Sequence, residues 1–199
     1  MSAAGDGAPG DEVTAASKFL AYVLRHDPGA VGLELGEGGW VAVTALAEAA
    51  ARHGRPLTVA LVHQAATAPG KRRFELRDGL IRAAQGHSVP VDLGLAPAQP
   101  PAVLYHGTVA RFLPAIREHG LLPGARVHVH LSAGERAAAV VGARRGRPVV
   151  LRVDAAGLAA AGHEFFRAAN GVWLTAAVPP AFLVFPGSSG GEDGPGPPG

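Results

Sequence analysis

Arg126-Val-His-Val-His-Leu-Ser132 is the stretch on which the reading of this 199-residue chain turns. Val127, Val129 and Leu131 alternate with His128 and His130, a period of two that predicts a strand with both imidazoles on one face. Leu104-Tyr-His-Gly-Thr108 upstream and Gly171-Val-Trp-Leu-Thr175 downstream look like further strands of the same pocket. Together they space histidines, an arginine and small residues as a site for an anionic nucleotide requires. Leu24-Arg25-His26 and Lys71-Arg72-Arg73-Phe74 add a second set of cations, so two lobes facing one another across a cleft are expected.

Composition narrows the possibilities. With 48% hydrophobic residues the chain can bury a working core as one large domain or two small ones. No apolar stretch approaches the roughly 20 residues of a membrane span, and Met1-Ser-Ala-Ala-Gly-Asp-Gly lacks the basic start and apolar run of a signal peptide. A soluble, cytoplasmic protein with no membrane partner is expected. Zero cysteines exclude disulfides, thiolate metal sites and cysteine nucleophiles. The net charge of +2 is unevenly spread: residues 1–88 balance nine cations against nine acids, whereas residues 101–186 carry nine arginines and four acids. That excess favours a polyanionic partner, because guanidinium grips phosphate through two donors. The bias of a GC-rich genome is the rival account of scattered arginines such as Arg144, Arg145 and Arg147.

Residues 1–13 and 187–199 are rich in Gly, Pro, Ser and Asp, and read as tails that cannot repay the entropy of ordering. Thr14 or Ser17 can cap a helix carrying Phe19, Leu20, Val23 and Leu24 at helical spacing, which Asp27-Pro28-Gly29 ends. Arg25 and His26 then sit in its last turn, where compensation of the helix dipole is the plainer explanation. Gly39-Trp-Val-Ala-Val43 feeds a helix from Thr44 to His53, and Leu57-Thr58 opens another to about Ala66. Lys71 to Leu76 and Leu80 to Ala83 read as strands joined by a tight turn at Arg77-Asp78-Gly79. Helices followed by a hairpin predict a winged-helix lobe over residues 14–88, although its recognition helix is poor in cations for a duplex reader. Residues 89–101 read as a stiff linker. Residues 102–186 predict a second lobe of short strands at 103–106, 127–131, 149–153, 172–175 and 182–185, with helices at 112–119 and 133–144. The fold class expected is α+β.

Two local motifs admit rival readings. His128 and His130, joined by His106 or His163, could hold a metal, but no His-Glu-x-x-His helix and no nearby carboxylate other than Glu164 supports one, so no metal is expected. In Tyr105-His-Gly-Thr108, Gly107 would let a ligand approach the backbone while the imidazole and hydroxyl donate to it. A satisfied core histidine is the alternative.

The motifs in order carry more than any one of them. Ser17-Lys-Phe-Leu20, Leu24-Arg-His26, Gly39-Trp-Val41, Lys71-Arg-Arg-Phe74, Ile81-Arg-Ala-Ala-Gln-Gly-His-Ser88, Leu104-Tyr-His-Gly-Thr108, Arg126 to Ser132, and Asn170-Gly-Val-Trp-Leu-Thr175 followed by Val178-Pro-Pro180 closely resemble the RNA 2′-phosphotransferase family. These are NAD-dependent enzymes that remove a 2′-phosphate from RNA, and the resemblance covers Ser17 to Phe185. It implies a winged-helix lobe followed by a lobe of the ADP-ribosyltransferase fold. It also implies a catalytic set of Arg25, His26, Arg73 and Arg126. Arg72 competes with Arg73, which is preferred because it directly precedes Phe74.

The implied reaction has two steps. The RNA 2′-phosphate attacks C1″ of the nicotinamide ribose and expels nicotinamide. O2″ then attacks that phosphorus, giving RNA with a free 2′-OH and ADP-ribose 1″,2″-cyclic phosphate. Arginines would stabilise the crowded phosphorus and His26 would act as general base or hold the O2″ hydroxyl. NAD, consumed as co-substrate, would be held by His106, Gly107 and Thr108 against a facing strand of His130, Leu131 and Ser132. No acid lies in Asn170-Gly-Val-Trp173, where many ADP-ribosyltransferases present a glutamate, as suits a nucleophile that is already a phosphate. The family usually has Asn where this chain has Ala84. The partner implied is RNA bearing a 2′-phosphate, acted on by a monomer. An ADP-ribosyltransferase of terminal nucleic-acid phosphates is the rival enzyme. A winged-helix nucleic-acid binder with a degenerate NAD pocket is the rival outside enzymes.

Overall fold

A computed structural model describes residues 9–69 and 72–187. Most of both expected tails, residues 1–8 and 188–199, and Lys71 of the cationic strand lie outside the described residues. In chain order the elements are α1 (Pro9–Arg25), β1 (Val41–Ala42), α2 (Val43–Arg52), α3 (Val59–Thr67), β2 (Phe74–Arg77), β3 (Leu80–Ala83), β4 (Val103–Val109), α4 (Leu113–His119), β5 (Val129–Leu131), α5 (Glu135–Gly142), β6 (Pro148–Asp154), α6 (Ala155–Ala160), β7 (Phe166–Arg167), β8 (Trp173–Thr175) and β9 (Leu183–Val184). Three small sheets, ordered β1-β3-β2, β4-β6-β9 and β5-β8-β7, make the fold mixed α/β with antiparallel pairing, compatible with the α+β class.

The chain divides into two compact units. One comprises Met1–Gln99, Leu122–His130 and Glu164–Ala177, and the other Pro100–Leu121, Leu131–His163 and Val178–Gly199. In the first, α1 starts at Pro9 instead of at Thr14 or Ser17, so residues 9–13 of the expected tail are helical. Proline suits the first helical position, and Asp11 and Glu12 in the first turn complement the helix dipole. Ala16, Leu20, Val23 and Leu24 are buried along one face and meet Leu46, Val62 and Ile81 in the core. Each such aliphatic side chain contributes about 1.5–3 kcal/mol by leaving water. Thr58 caps α3, its Oγ1 accepting from Leu61 N at 3.1 Å. The β2–β3 turn has Asp78 at φ 50° and Gly79 at φ 75°, the paired left-handed geometry that matches strand twist in a two-residue hairpin.

In the second unit, β4 and β6 pair over seven residues from Val103↔Asp154 to Val109↔Pro148, and α5 packs on that ladder. Leu104, Leu151, Val153 and Leu158 are buried beneath it. Gly107 permits the packing: a Cβ there would collide with the carbonyl oxygen of Ala138. One face of Gly107 is therefore filled by helix, which differs from the expectation that its missing side chain serves a ligand's approach. Two elements lacked a sequence signal. The six residues of α6 include a glycine and only one large apolar residue, Leu158, and the helix is started by Asp154, whose Oδ1 accepts from Gly157 N at 2.9 Å. Strand β7 is two residues long and is defined by pairing Phe166↔Leu174 and Arg167↔Trp173.

Candidate anion-binding site

Helix α1 ends where its last residue, Arg25, and the next, His26, leave the core face. The carbonyl oxygen of Arg25, otherwise an unsatisfied helix-end acceptor, takes bonds from the main-chain N–H of Ser88 at 2.9 Å and Val89 at 3.3 Å. The loop after β3 is thereby fastened to the end of the helix. Gly86, at φ 91°, lies against the Arg25 side chain, where an added Cβ would sit 3.8 Å from Cδ.

Four side chains singled out from the sequence converge inside this one unit. Arg25 donates from Nη2 to the main-chain oxygen of Arg73 at 3.3 Å, and Arg73 donates from Nη1 to Oγ of Ser17 at 3.2 Å. Arg126 bonds through Nη1 with His130 Nδ1 at 3.2 Å, a pairing in which the guanidinium donates. His26 Nδ1 lies 2.9 Å from Ser88 Oγ. Burial first, and then the positive charges of Arg126 and Arg73, push the Arg25 guanidinium down to about 10. Partial burial, followed by Arg25 and Arg126, lowers His26 below the ordinary histidine value, which keeps its imidazole neutral at pH 7. Nε of Arg25 is buried without a hydrogen-bond partner, and neither Arg25 nor Arg73 pairs with a carboxylate among the described residues. Like charges gathered in this way are costly unless an anion joins them.

Nearby, His87 is 3% exposed and its Nε2 has no partner. Burial first, and then Arg25, Arg82 and His26, push its imidazole down to about 4. With His128 and His130 it lines a void of about 10 Å³. His128 meets the edge of the Phe166 ring at 5.8 Å, and burial lowers its imidazole against the opposing pull of Asp92. Among the described residues no three of His, Asp or Glu gather as a metal would need.

The remaining cofactor candidates fall in the other unit, apart from His130. Tyr105 and Ser132 form an antiparallel bridge, Tyr105 N to Ser132 O at 2.9 Å and Ser132 N to Tyr105 O at 2.8 Å. This places Leu131-Ser132 alongside the β4 segment that carries His106, Gly107 and Thr108. His106 is half-buried and Thr108 is buried. Arg72 and Arg73 part company: Arg73 joins the cluster, whereas Arg72 lines a groove of about 1650 Å³ with Trp40, Phe74 and Arg77.

From the sequence Ser17 is only a candidate helix cap, and Arg82 and Ser88 are only members of motifs. Arg82 is structural. It forms a two-pronged pair with Glu75, Nε to Oε1 and Nη2 to Oε2 both at 3.1 Å, and donates from Nη1 to the carbonyls of Gly38 and Leu93. It also lies 4.6 Å from the Trp40 ring centre, with Arg77 at 4.8 Å. A serine one residue from a buried histidine gives no periodic signal, so the Ser88–His26 bond could be found only in three dimensions.

Comparison with known proteins places the chain in a family. The family model described as RNA 2′-phosphotransferase, Tpt1/KptA family, matches residues 11–177. A probable RNA 2′-phosphotransferase of Streptomyces griseus is 54% identical over 180 residues, covering 86% of this chain and 95% of that protein. One of Rhodopirellula baltica is 50% identical, covering 88% and 97%, and one of Pseudomonas aeruginosa strain UCBPP-PA14 is 55% identical, covering 84% and 93%. The chain belongs to the RNA 2′-phosphotransferase family. Among the described residues no helix is long and apolar enough to cross a membrane.

Proposed function

We propose that this protein is an NAD-dependent RNA 2′-phosphotransferase whose phosphate-handling residues are Arg25, His26, Arg73 and Arg126. The observation that carries the reading is the gathering of Arg25, Arg73 and Arg126 around one another, with Arg25 pushed down to about 10 and no carboxylate partner for Arg25 or Arg73 among the described residues. A 2′-phosphate dianion supplies the charge that such a cluster lacks. The family membership supports RNA as its bearer. We read residues 14–88 as a winged-helix lobe, on the three helices and the β2–β3 hairpin they hold, and residues 102–186 as a lobe of the ADP-ribosyltransferase fold.

NAD, as co-substrate, supplies an electrophilic C1″ carbon bearing nicotinamide as leaving group. The Tyr105–Ser132 bridge supports the fit, because it aligns Ser132 with the β4 segment as a two-strand cradle needs. His106, Thr108, His130, Leu131 and Ser132 are the residues proposed to hold it, with Gly107 contributing through its backbone. The arginines orient the phosphate oxygens for attack on C1″ and neutralise charge as phosphorus becomes five-coordinate in the second step. His26, neutral at pH 7, accepts the O2″ proton as O2″ bonds to phosphorus and the P–O2′ bond breaks. That proton passes to the departing O2′.

The test is incubation with a short RNA carrying an internal 2′-phosphate and NAD, following nicotinamide by chromatography and the 2′-OH product by mass. Both products are expected in equal amounts. Phosphate retained on RNA, with no nicotinamide formed, overturns the reading.

A further inference from the structure

We propose that Ser88 is a positioning residue for His26: its hydroxyl oxygen accepts the Nδ1–H of the imidazole, which fixes the tautomer and leaves the Nε2 lone pair as the base for O2″. The inference rests on the phosphotransferase reading of the site and adds to it the element that makes His26 competent.

Three observations carry it. First, Oγ of Ser88 lies 2.9 Å from Nδ1 of His26, a full hydrogen bond between residues 62 apart in sequence. Second, Ser88 is held independently of that bond. Its N–H and that of Val89 both donate to the carbonyl oxygen of Arg25, so the hydroxyl is presented from a backbone already fastened to the end of α1. Third, partial burial, and after it the charges of Arg25 and Arg126, lower His26 below the ordinary histidine value, so at pH 7 the imidazole is neutral and carries a single proton on one nitrogen or the other. Nδ1 is the nitrogen within hydrogen-bond distance of the serine oxygen, so a proton there finds an acceptor. The proton therefore belongs on Nδ1, where the serine oxygen receives it. In the second step O2″ gives its proton to Nε2 as it bonds to phosphorus, O2′ leaves, and the proton is returned to O2′. Nδ1 keeps its own proton throughout, and the hydrogen bond to Ser88 strengthens while the ring is positively charged.

The test uses the full chain as wild type, Ser88→Ala and Ser88→Thr, with two readouts. Imidazole nitrogen shifts in protein carrying labelled histidine, with His26 assigned by its loss in His26→Gln, report the tautomer without any substrate. Rapid-quench assays with 2′-phosphorylated RNA and NAD report nicotinamide release and loss of RNA-bound phosphate separately. The expected result is an Nδ1–H pattern in the wild type that is lost in Ser88→Ala. The second step should slow on the order of 10- to 100-fold, a part of what general-base catalysis supplies, while nicotinamide release changes little. Ser88→Thr should restore both signals. An unchanged His26 pattern in Ser88→Ala overturns the proposal, as does equal slowing of both steps without rescue by threonine, which marks a merely structural serine. If the wild type does not act on the RNA at all, the functional reading fails, and the nitrogen shifts still decide for or against the serine.

Discussion

Arg25 Nη2 donates to the main-chain oxygen of Arg73 at 3.3 Å, and that same oxygen accepts the N–H of Ala84 at 2.9 Å. One guanidinium thus holds the approach to β2 in place while its own Nε stays buried without a partner. Arg25 is at once a brace for Arg73 and a member of the cluster that Arg73 completes. The fork geometry lets a single side chain do both.

Arg25→Lys keeps the charge and removes the fork. A lysine ammonium can reach either the Arg73 carbonyl or the anion, so kcat/KM for 2′-phosphorylated RNA should fall about 100-fold, roughly 2.7 kcal/mol. Steady-state kinetics on the folded variant check this. Unchanged kinetics would remove Arg25 from the phosphate site.

Ser17→Ala deletes the hydroxyl that receives Arg73 Nη1 in a buried position. The variant should lose about 1 kcal/mol of stability, and its KM for RNA should rise more than its kcat falls, since Arg73 would be less well aimed. Urea unfolding and a KM–kcat comparison separate the two effects. Arg73→Ala should go further and slow removal of phosphate from the ADP-ribosylated RNA.

Acid should destabilise the protein through His87. Its folded-state pKa of about 4 lies below the unfolded value of 6.5, so between these limits the unfolded chain binds more protons and stability rises with pH. The contribution is present above pH 6.5, lost as pH falls toward 4, and amounts to about 3 kcal/mol at most. Urea denaturation at pH 7.5 and pH 5 should show the loss, and His87→Gln should flatten it. Equal slopes in the two proteins would assign the acid sensitivity elsewhere.

Gly107→Ala should leave little folded protein. The new Cβ meets the Ala138 carbonyl, and Gly142 across the same contact leaves no slack, since its own Cβ would lie 2.8 Å from the Thr108 oxygen. A loss of several kcal/mol is expected from this backbone collision. Thermal unfolding by circular dichroism measures it, and near-wild-type melting would return Gly107 to a purely ligand-facing role.

Legibility from sequence followed the length and periodicity of each segment. The stripe of Leu20, Val23 and Leu24, the Asp78-Gly79 turn and the Val149–Val153 run declared themselves because each repeats or punctuates a pattern. Strand β7 and helix α6 did not, since Phe166-Arg167 acquires strand form from β8 and Ala155–Ala160 acquires helix form from the Asp154 cap. The site divides in the same manner. The cations were visible as motifs, with Arg73 preferred to Arg72 on its position before Phe74. The hydrogen bonds from Ser17 and Ser88 join residues 56 and 62 apart, and no local spacing encodes such pairs. Arg82 was quoted in a motif with the other cations, yet Glu75, Gly38, Leu93 and Trp40 occupy it fully.

Residues 122–130 and 164–177 belong to the same compact unit as the first 99. During synthesis Arg25, His26 and Arg73 leave the ribosome well before Arg126 exists, so a nascent chain halted at the boundary after Gln99 would carry three of the four clustered side chains and lack β7 and β8 altogether. Cutting the gene there would not yield an autonomous RNA-handling module. A functional split would have to carry the later segments back to the first piece in trans, and a circular permutant that keeps both returns intact is the sounder way to relocate the termini.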